Sequence, residues 1–330
     1  MLLRLRTGPP RRQRGAASVR VVFGLAALLL VVLALGVGRL RAGGSVGAKG
    51  GPVFIQRLDG VAAEALLPPA PKPFLDRHRV VAYYGNPLAP QMGILGEYPP
   101  AELIRRLRAQ AAAYQALSPE RTIVPAIHLI YAVAQERAGR DGTYLLRMED
   151  ELIDRWVRLT QDEGMLLFLD IQFGKSTIER EFPHVARFLR EPNVHLALDP
   201  EFAWGPDEFP LVDIGHIDGA VVNRAQDLLQ QIVIENRLPN KILVIHQFRP
   251  DMLKNKASIR PSAWVETVID ADGFGAPLVK LDQWQRVIRD ENVQRPGIKL
   301  FYQQDAKSGG LMSEADVMAL TPSPLVIIYQ

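Results

Sequence analysis

From Arg79 onward, eight short apolar or β-branched runs recur along the chain: Val80–Tyr84, Ile123–Ile130, Met165–Ile171, Val194–Leu198, Ile242–His246, Trp264–Ile269, Ile298–Tyr302 and Leu325–Tyr329. Several are almost uninterrupted, the pattern of strands buried on both faces of a parallel sheet. Amphipathic segments lie between them. Leu103, Ile104, Leu107, Ala111 and Tyr114 form one helical stripe, with Pro100 at its start. Leu152, Ile153, Trp156, Val157 and Thr160 form a second, and Leu278, Leu281, Trp284, Val287 and Ile288 a third. Asp218 stands where it can cap a long helix through Val222, Ala225, Leu229, Ile232 and Val233. Gly219–Val222 also fits a ninth strand, but the 3.6-residue period that continues to Val233 assigns it to the helix. Ser313 and Asp316 resemble a capping box with Asp in place of Glu. Gly164, Asn240 and Gly297 stand where helices should stop before the next strand.

Eight strands alternating with crossover helices predict an α/β fold, a (β/α)8 TIM-type barrel over residues 79–330. An open doubly wound sheet is the alternative. No Gly-x-Gly-x-x-Gly opens a helix, so dinucleotide binding has no support. The eighth run ends at Tyr329, one residue before Gln330, so the expected barrel lacks a regular last helix. Part of 53–78 is expected to pack in its place.

The first fifty residues change the picture. They hold nine of the 39 Lys and Arg residues and none of the 36 Asp and Glu. Six of those charges precede an uncharged run, Val21–Gly38, and three follow it. Basic flanks stay on the cytoplasmic side, so residues 1–20 read as a cytoplasmic segment and 21–38 as a signal anchor or transmembrane helix. Cleavage of the same run as a signal peptide, giving a secreted protein, is the alternative; the small-residue site near Ala34 and Gly36 is weak. Residues 39–78 are Gly-rich and then Pro-rich (Leu67–Pro73) and read as a stalk. The barrel is expected to be extracytoplasmic.

The formal charge of +3 conceals this division. Beyond residue 50 the chain has 30 basic and 36 acidic residues, a net of −6, which argues against nucleic acid as a partner. There is no cysteine, so disulfides and thiolate catalysis are excluded.

In a (β/α)8 protein, chemistry gathers at the C-terminal ends of the strands. The candidates there are Tyr83 and Asn86 after strand one, His128 on strand two, Asp170 and Gln172 on strand three, and Asp199, Glu201 and Trp204 after strand four. Strand five brings His246 and Gln247, strand six Asp270 and Asp272, and strand seven Tyr302 and Gln303. Carboxylates suit acid/base work, amides bond hydroxyls, and aromatic faces stack on pyranose rings. Asp170, Asp199, Glu201 and Asp270 are the candidate catalytic acids, and the other ten are candidate substrate contacts. Asp170 equally fits a cap for the next loop or a partner for Arg or Lys. Pro200 makes a continuous strand through Asp199 and Glu201 doubtful. Asp270-x-Asp272-Gly lacks the later acids of a calcium loop. No second His stands at ligand spacing from His246 or His128. No metal or cofactor is therefore expected.

Leu167-Phe-Leu-Asp170-Ile-Gln, Leu198-Asp-Pro-Glu201-Phe and Val268-Ile-Asp270-Ala-Asp-Gly-Phe-Gly275 resemble strand ends of the glycoside-hydrolase-like (β/α)8 proteins of bacterial envelopes. The resemblance is architectural and spans 79–330. It implies a polysaccharide ligand, with Glu201 or Asp199 as general acid and Asp170 or Asp270 as base or stabiliser. The chain departs from the largest such group, which carries a second Glu on strand seven; Gln303 and Gln304 stand here. It also lacks the Asp-x-x-Asp-x-Asp-x-Glu run of chitinase-like barrels. A non-catalytic envelope-binding module and a metal-assisted hydrolase built on His246 remain as alternatives.

Overall fold

A computed structural model describes residues 68–291 and 295–330. The basic segment, the signal-anchor run 21–38 and most of the stalk lie outside the described residues. Among those described, no helix is long and apolar enough to cross a membrane.

Eight parallel strands close into a barrel: β1 (His78–Gly85), β2 (Thr122–Ala134), β3 (Leu166–Gly174), β4 (Val194–Ala203), β5 (Lys241–Gln247), β6 (Val265–Ala271), β7 (Arg295–Leu300) and β8 (Val326–Tyr329). Closure is explicit, because β1 pairs in parallel with β2 on one side and with β8 on the other. Val80 lies opposite Val326 and Tyr83 opposite Tyr329. Each of the eight predicted runs falls on one of these strands, and the open-sheet alternative is excluded.

Side-chain alternation divides the apolar residues into two bodies. Val80, Ala82, Ala126, Phe168, Ala197, Val244, Val268 and Ile328 belong to the cluster that fills the barrel. Val81, Ile127, Leu167, Leu196, Leu243, Ile298 and Ile327 belong to the cluster between barrel and helices. The outer ring is α1 (Pro100–Leu117), α2 (Asp150–Asp162), α3 (Ile178–Val185), α4 (Gly219–Asn236), α5 (Pro277–Trp284), α6 (Tyr302–Ser308) and α7 (Glu314–Met318). Asp218 caps α4 by accepting the Ala220 amide at 2.8 Å, and Ser313 and Asp316 form the expected capping box. Between β5 and β6 the connection is built from two 3-10 turns flanking a two-residue strand, Leu253–Lys254, that pairs with Ile217–Asp218.

Several expectations change. Gly164 ends α2 with a left-handed φ of 64°, as expected of a C′ glycine. Arg237, not Asn240, terminates α4 in the left-handed conformation. Gly297 lies inside β7, opposite Asp270. A Cβ there would come within 2.9 Å of Val268 and 3.3 Å of an Asp270 carboxyl oxygen, so the glycine makes room for that acid. The stripe assigned to α5 is rotated: Leu278 is 78 % exposed, while Lys280, Gln283 and Trp284 are buried.

The described end of the stalk does not occupy the place of an eighth helix. Residues Phe74–Asp76 form a 3-10 turn at the N-terminal ends of the strands. Leu75 is fully buried among interior residues of the barrel, and its amide donates to Glu266 on β6 at 3.2 Å. The turn is a plug for the bottom of the barrel.

Candidate functional site

The upper interior of the barrel is polar. Strand alternation turns Tyr84 (β1), His128 (β2), Asp170 (β3), Asp199 (β4), His246 (β5), Asp270 (β6) and Lys299 (β7) inward, above the apolar layers. All seven are buried. Tyr84 and His128 are register partners across β1 and β2, and His246 and Asp270 across β5 and β6. The parallel register thus brings together residues distant in sequence.

His246 is the hub. Its Nδ1 lies 2.9 Å from Asp270 Oδ2 and 3.2 Å from Asp272 Oδ2. Its Nε2 lies 3.3 Å from His128 Nε2 and 3.7 Å from Asp170 Oδ2. Tyr84 donates its hydroxyl to Asp170 Oδ2 at 3.0 Å. Lys299 Nζ pairs with Asp272 Oδ2 at 3.1 Å and sits 3.7 Å above the Tyr84 ring. Asp170, Asp270 and Asp272 each keep one buried carboxyl oxygen without a hydrogen-bond partner, as does His128 Nδ1.

The groups impose distinct charge states on one another. Burial opposes the charged form of His246, but Asp170 and the hydrogen bonds to Asp270 and Asp272 outweigh it, and its pKa is raised well above the ordinary value. Burial, with His246 and Lys299 nearby, pushes His128 well below its ordinary value. In this state His246 Nε2–H donates to a neutral His128. Burial raises Asp170 and Asp270 against the pull of His246. Asp199 is raised well above the carboxylate range by burial and by Asp170. Glu201 is pushed up to about 7 by burial and by the charge of Asp272. Asp272 moves the other way. Burial would raise it, but Lys299 and His246 overcome that and hold it below its ordinary value.

Pro200 does not interrupt β4. The strand continues to Ala203 through an irregularity opposite Gln172–Gly174, a place where a proline's missing N–H is tolerated. The Glu201 amide donates to Asp199 Oδ1 at 3.2 Å. Glu201 is half-buried and Asp272 is 8 % exposed, whereas Asp170 and Asp270 have no exposed surface.

The other predicted contacts divide. His128, His246 and Asp272 are in the polar layer. Tyr83 and Tyr302 are not: odd parity along β1 turns Tyr83 outward, where the two hydroxyls meet at 3.3 Å beside Tyr329. Gln303 is exposed on α6 and bonds Glu97 at 2.9 Å. Strand β7 ends two residues earlier than expected, because Asp305 accepts the Phe301 amide at 2.9 Å and starts α6. Trp204 anchors a loop by donating to the Asp213 carbonyl at 2.9 Å. Gln172 accepts the Ala134 amide at 2.9 Å, Gln247 accepts from Lys256 at 2.8 Å, and Asn86 accepts the Leu88 amide at 2.9 Å. These three amides are held by the protein itself.

Tyr84 and Lys299 were missed. Lys299 carries a signal in the sequence, as a lone charge between Ile298 and Leu300, whereas Tyr84 differs from Tyr83 only in a parity that the apolar run around it does not reveal.

No protein-family model matches the chain, and no curated protein matches it. Similar solved structures include a trimodular GH5_4 subfamily endoglucanase, at 10% identity and a TM-score of 0.39, covering 77% of this chain and 55% of that one. A ruminal GH26 endo-β-1,4-mannanase follows at 9% identity and 0.34, covering 78% and 59%. The GH26-CBM35 β-(1,4)-mannanase of Podospora anserina follows at 11% and 0.27, covering 70% and 59%. The chain spans between about half and three-fifths of the length of these structures. The resemblance to glycoside hydrolases is one of barrel architecture.

Proposed function

We propose that the chain is an envelope-anchored, extracytoplasmic glycoside-hydrolase-like barrel, with Glu201 and Asp272 as its reacting pair. The carrying observation is the unlike surroundings of these two carboxyls: Asp272 pairs with Lys299 at 3.1 Å and His246 at 3.2 Å, whereas Glu201 pairs with no basic side chain among the described residues. Glu201, raised to about 7, retains a proton near neutral pH. Asp272 stays ionised beside Lys299 and His246. Two carboxyls pushed in opposite directions supply the acid and the anion that glycosidic bond cleavage needs. They are also more exposed than Asp170 and Asp270.

In this reading Glu201 protonates the leaving glycosidic oxygen. Asp272, whose Oδ1 is buried and accepts no hydrogen bond in the protein, stabilises the developing positive charge of the sugar. Asp170 and Asp270, the alternatives for base or stabiliser in the sequence reading, instead orient Tyr84 and His246 behind the reacting pair. The charge pattern of 1–50 supports anchoring through 21–38. The net −6 beyond residue 50 supports a glycan rather than a nucleic acid as the ligand.

The test is release of new reducing ends from envelope polysaccharide fractions. Wild type should release them, and Glu201→Gln should lower the rate by about 10²–10⁴. Equal rates would remove Glu201 from the mechanism. The closure of the layer over Asp170, Asp270 and His246 favours a second reading, a binding module without turnover. That reading requires saturable glycan binding with no product.

A further inference from the structure

We propose that His128 Nε2, His246 Nε2 and Asp170 Oδ2 form a three-ligand site for one divalent cation of the zinc class, on the floor of the polar layer. The three atoms are separated by 3.3, 3.7 and 4.0 Å. Around a tetrahedral zinc with bonds of about 2.0–2.1 Å, ligand atoms lie roughly 3.3–3.4 Å apart. The observed triangle needs only small side-chain adjustment. Two imidazoles and one carboxylate are a donor set suited to zinc and its neighbours, and the chain has no thiolate to offer instead.

The surroundings point the same way. Asp270 holds Nδ1 of His246 at 2.9 Å. That is the carboxylate–histidine arrangement that fixes the Nδ1–H tautomer and frees the Nε2 lone pair for a metal. Asp170 is fully buried and is held in the protein by the Tyr84 hydroxyl at Oδ2, while its Oδ1 has no partner. Three carboxyl groups, Asp170, Asp270 and Asp272, surround His246. A cation replacing the proton between the imidazoles would keep positive charge among them. His246, Asp270 and Asp272 also converge, but there the histidine offers Nδ1, already engaged by Asp270, so this trio supports the site rather than forming it. The ion would tie β2, β3 and β5 together at one point. The inference does not depend on the hydrolase reading.

The test uses the full chain, purified without chelator. Metal analysis should find about one zinc per chain, removable by chelation and restored with micromolar or tighter affinity. Cobalt substitution should give visible ligand-field absorption, and zinc should raise the melting temperature of the stripped protein. Asp270→Asn should bind about 10–100-fold more weakly. His128→Gln and Asp170→Asn should melt cooperatively yet show no zinc-induced shift. If either of these two does not fold, the absorption of cobalt-loaded wild type decides, through the presence or absence of imidazole coordination. Stripped, folded wild type that binds neither ion would overturn the site, as would undiminished binding in both variants. Glu201→Gln should keep the metal while losing hydrolysis, so the two proposals can fail separately.

Discussion

Nδ1 of His246 lies 2.9 Å from Oδ2 of Asp270, both side chains fully buried and in register across β5 and β6. This contact sets the tautomer and charge of the residue on which the polar layer turns. Removing one partner of a buried charged pair leaves the other uncompensated. Asp270→Ala should therefore cost about 3–5 kcal/mol, and the isosteric Asp270→Asn less. Urea unfolding at neutral pH measures both.

The rotated face of α5 gives a second test. Leu278→Ser should change stability by no more than about 0.5 kcal/mol, because Leu278 is already in water. Trp284→Ala should cost about 3–5 kcal/mol, because Trp284 is 2 % exposed. Comparably large costs at both positions would restore the stripe read from the sequence, on which Leu278 and Trp284 face the core together.

Glu201 makes stability depend on pH. Its pKa rises from 4.5 to about 7 on folding, so the folded state binds the extra proton between those values. The stabilisation is complete below about 4.5 and is lost as pH rises through about 7. Allowing for its partial exposure, the loss is on the order of 2 kcal/mol. Glu201→Gln should abolish this slope, gaining on wild type between pH 5 and pH 8 in paired denaturation curves. Parallel curves would show that the carboxyl titrates normally.

The eight barrel strands were legible because burial on both faces produces nearly continuous apolar runs. The same continuity hid which side chains face inward. Tyr83 and Tyr84 read alike in sequence, yet only Tyr84 reaches the acids. His128 and His246 had no ligand spacing in sequence because barrel closure, not local helical geometry, brings their Nε2 atoms to 3.3 Å. Gly297 looked like a helix stop, since a glycine before an apolar run carries that signature. Its role opposite Asp270 is set by a neighbouring strand. Helix α3 escaped notice because it is eight residues long and contains Pro183.

The charge asymmetry of the first fifty residues predicts the topology. A reporter fused after Gln330 should be active only outside the cytoplasmic membrane. Cytoplasmic activity would reverse the orientation and remove the envelope from the functional reading.

The central claim is that Glu201 gives its proton to the leaving group. Comparing two substrates tests it most directly: an envelope polysaccharide, whose leaving alcohol needs protonation, and an aryl glycoside of the same sugar with an acidic phenol, which does not. Glu201→Gln should lower kcat/KM on the polysaccharide by about 10²–10⁴ while staying within roughly tenfold of wild type on the aryl glycoside. Equal losses on both substrates, or no loss on either, would contradict the account.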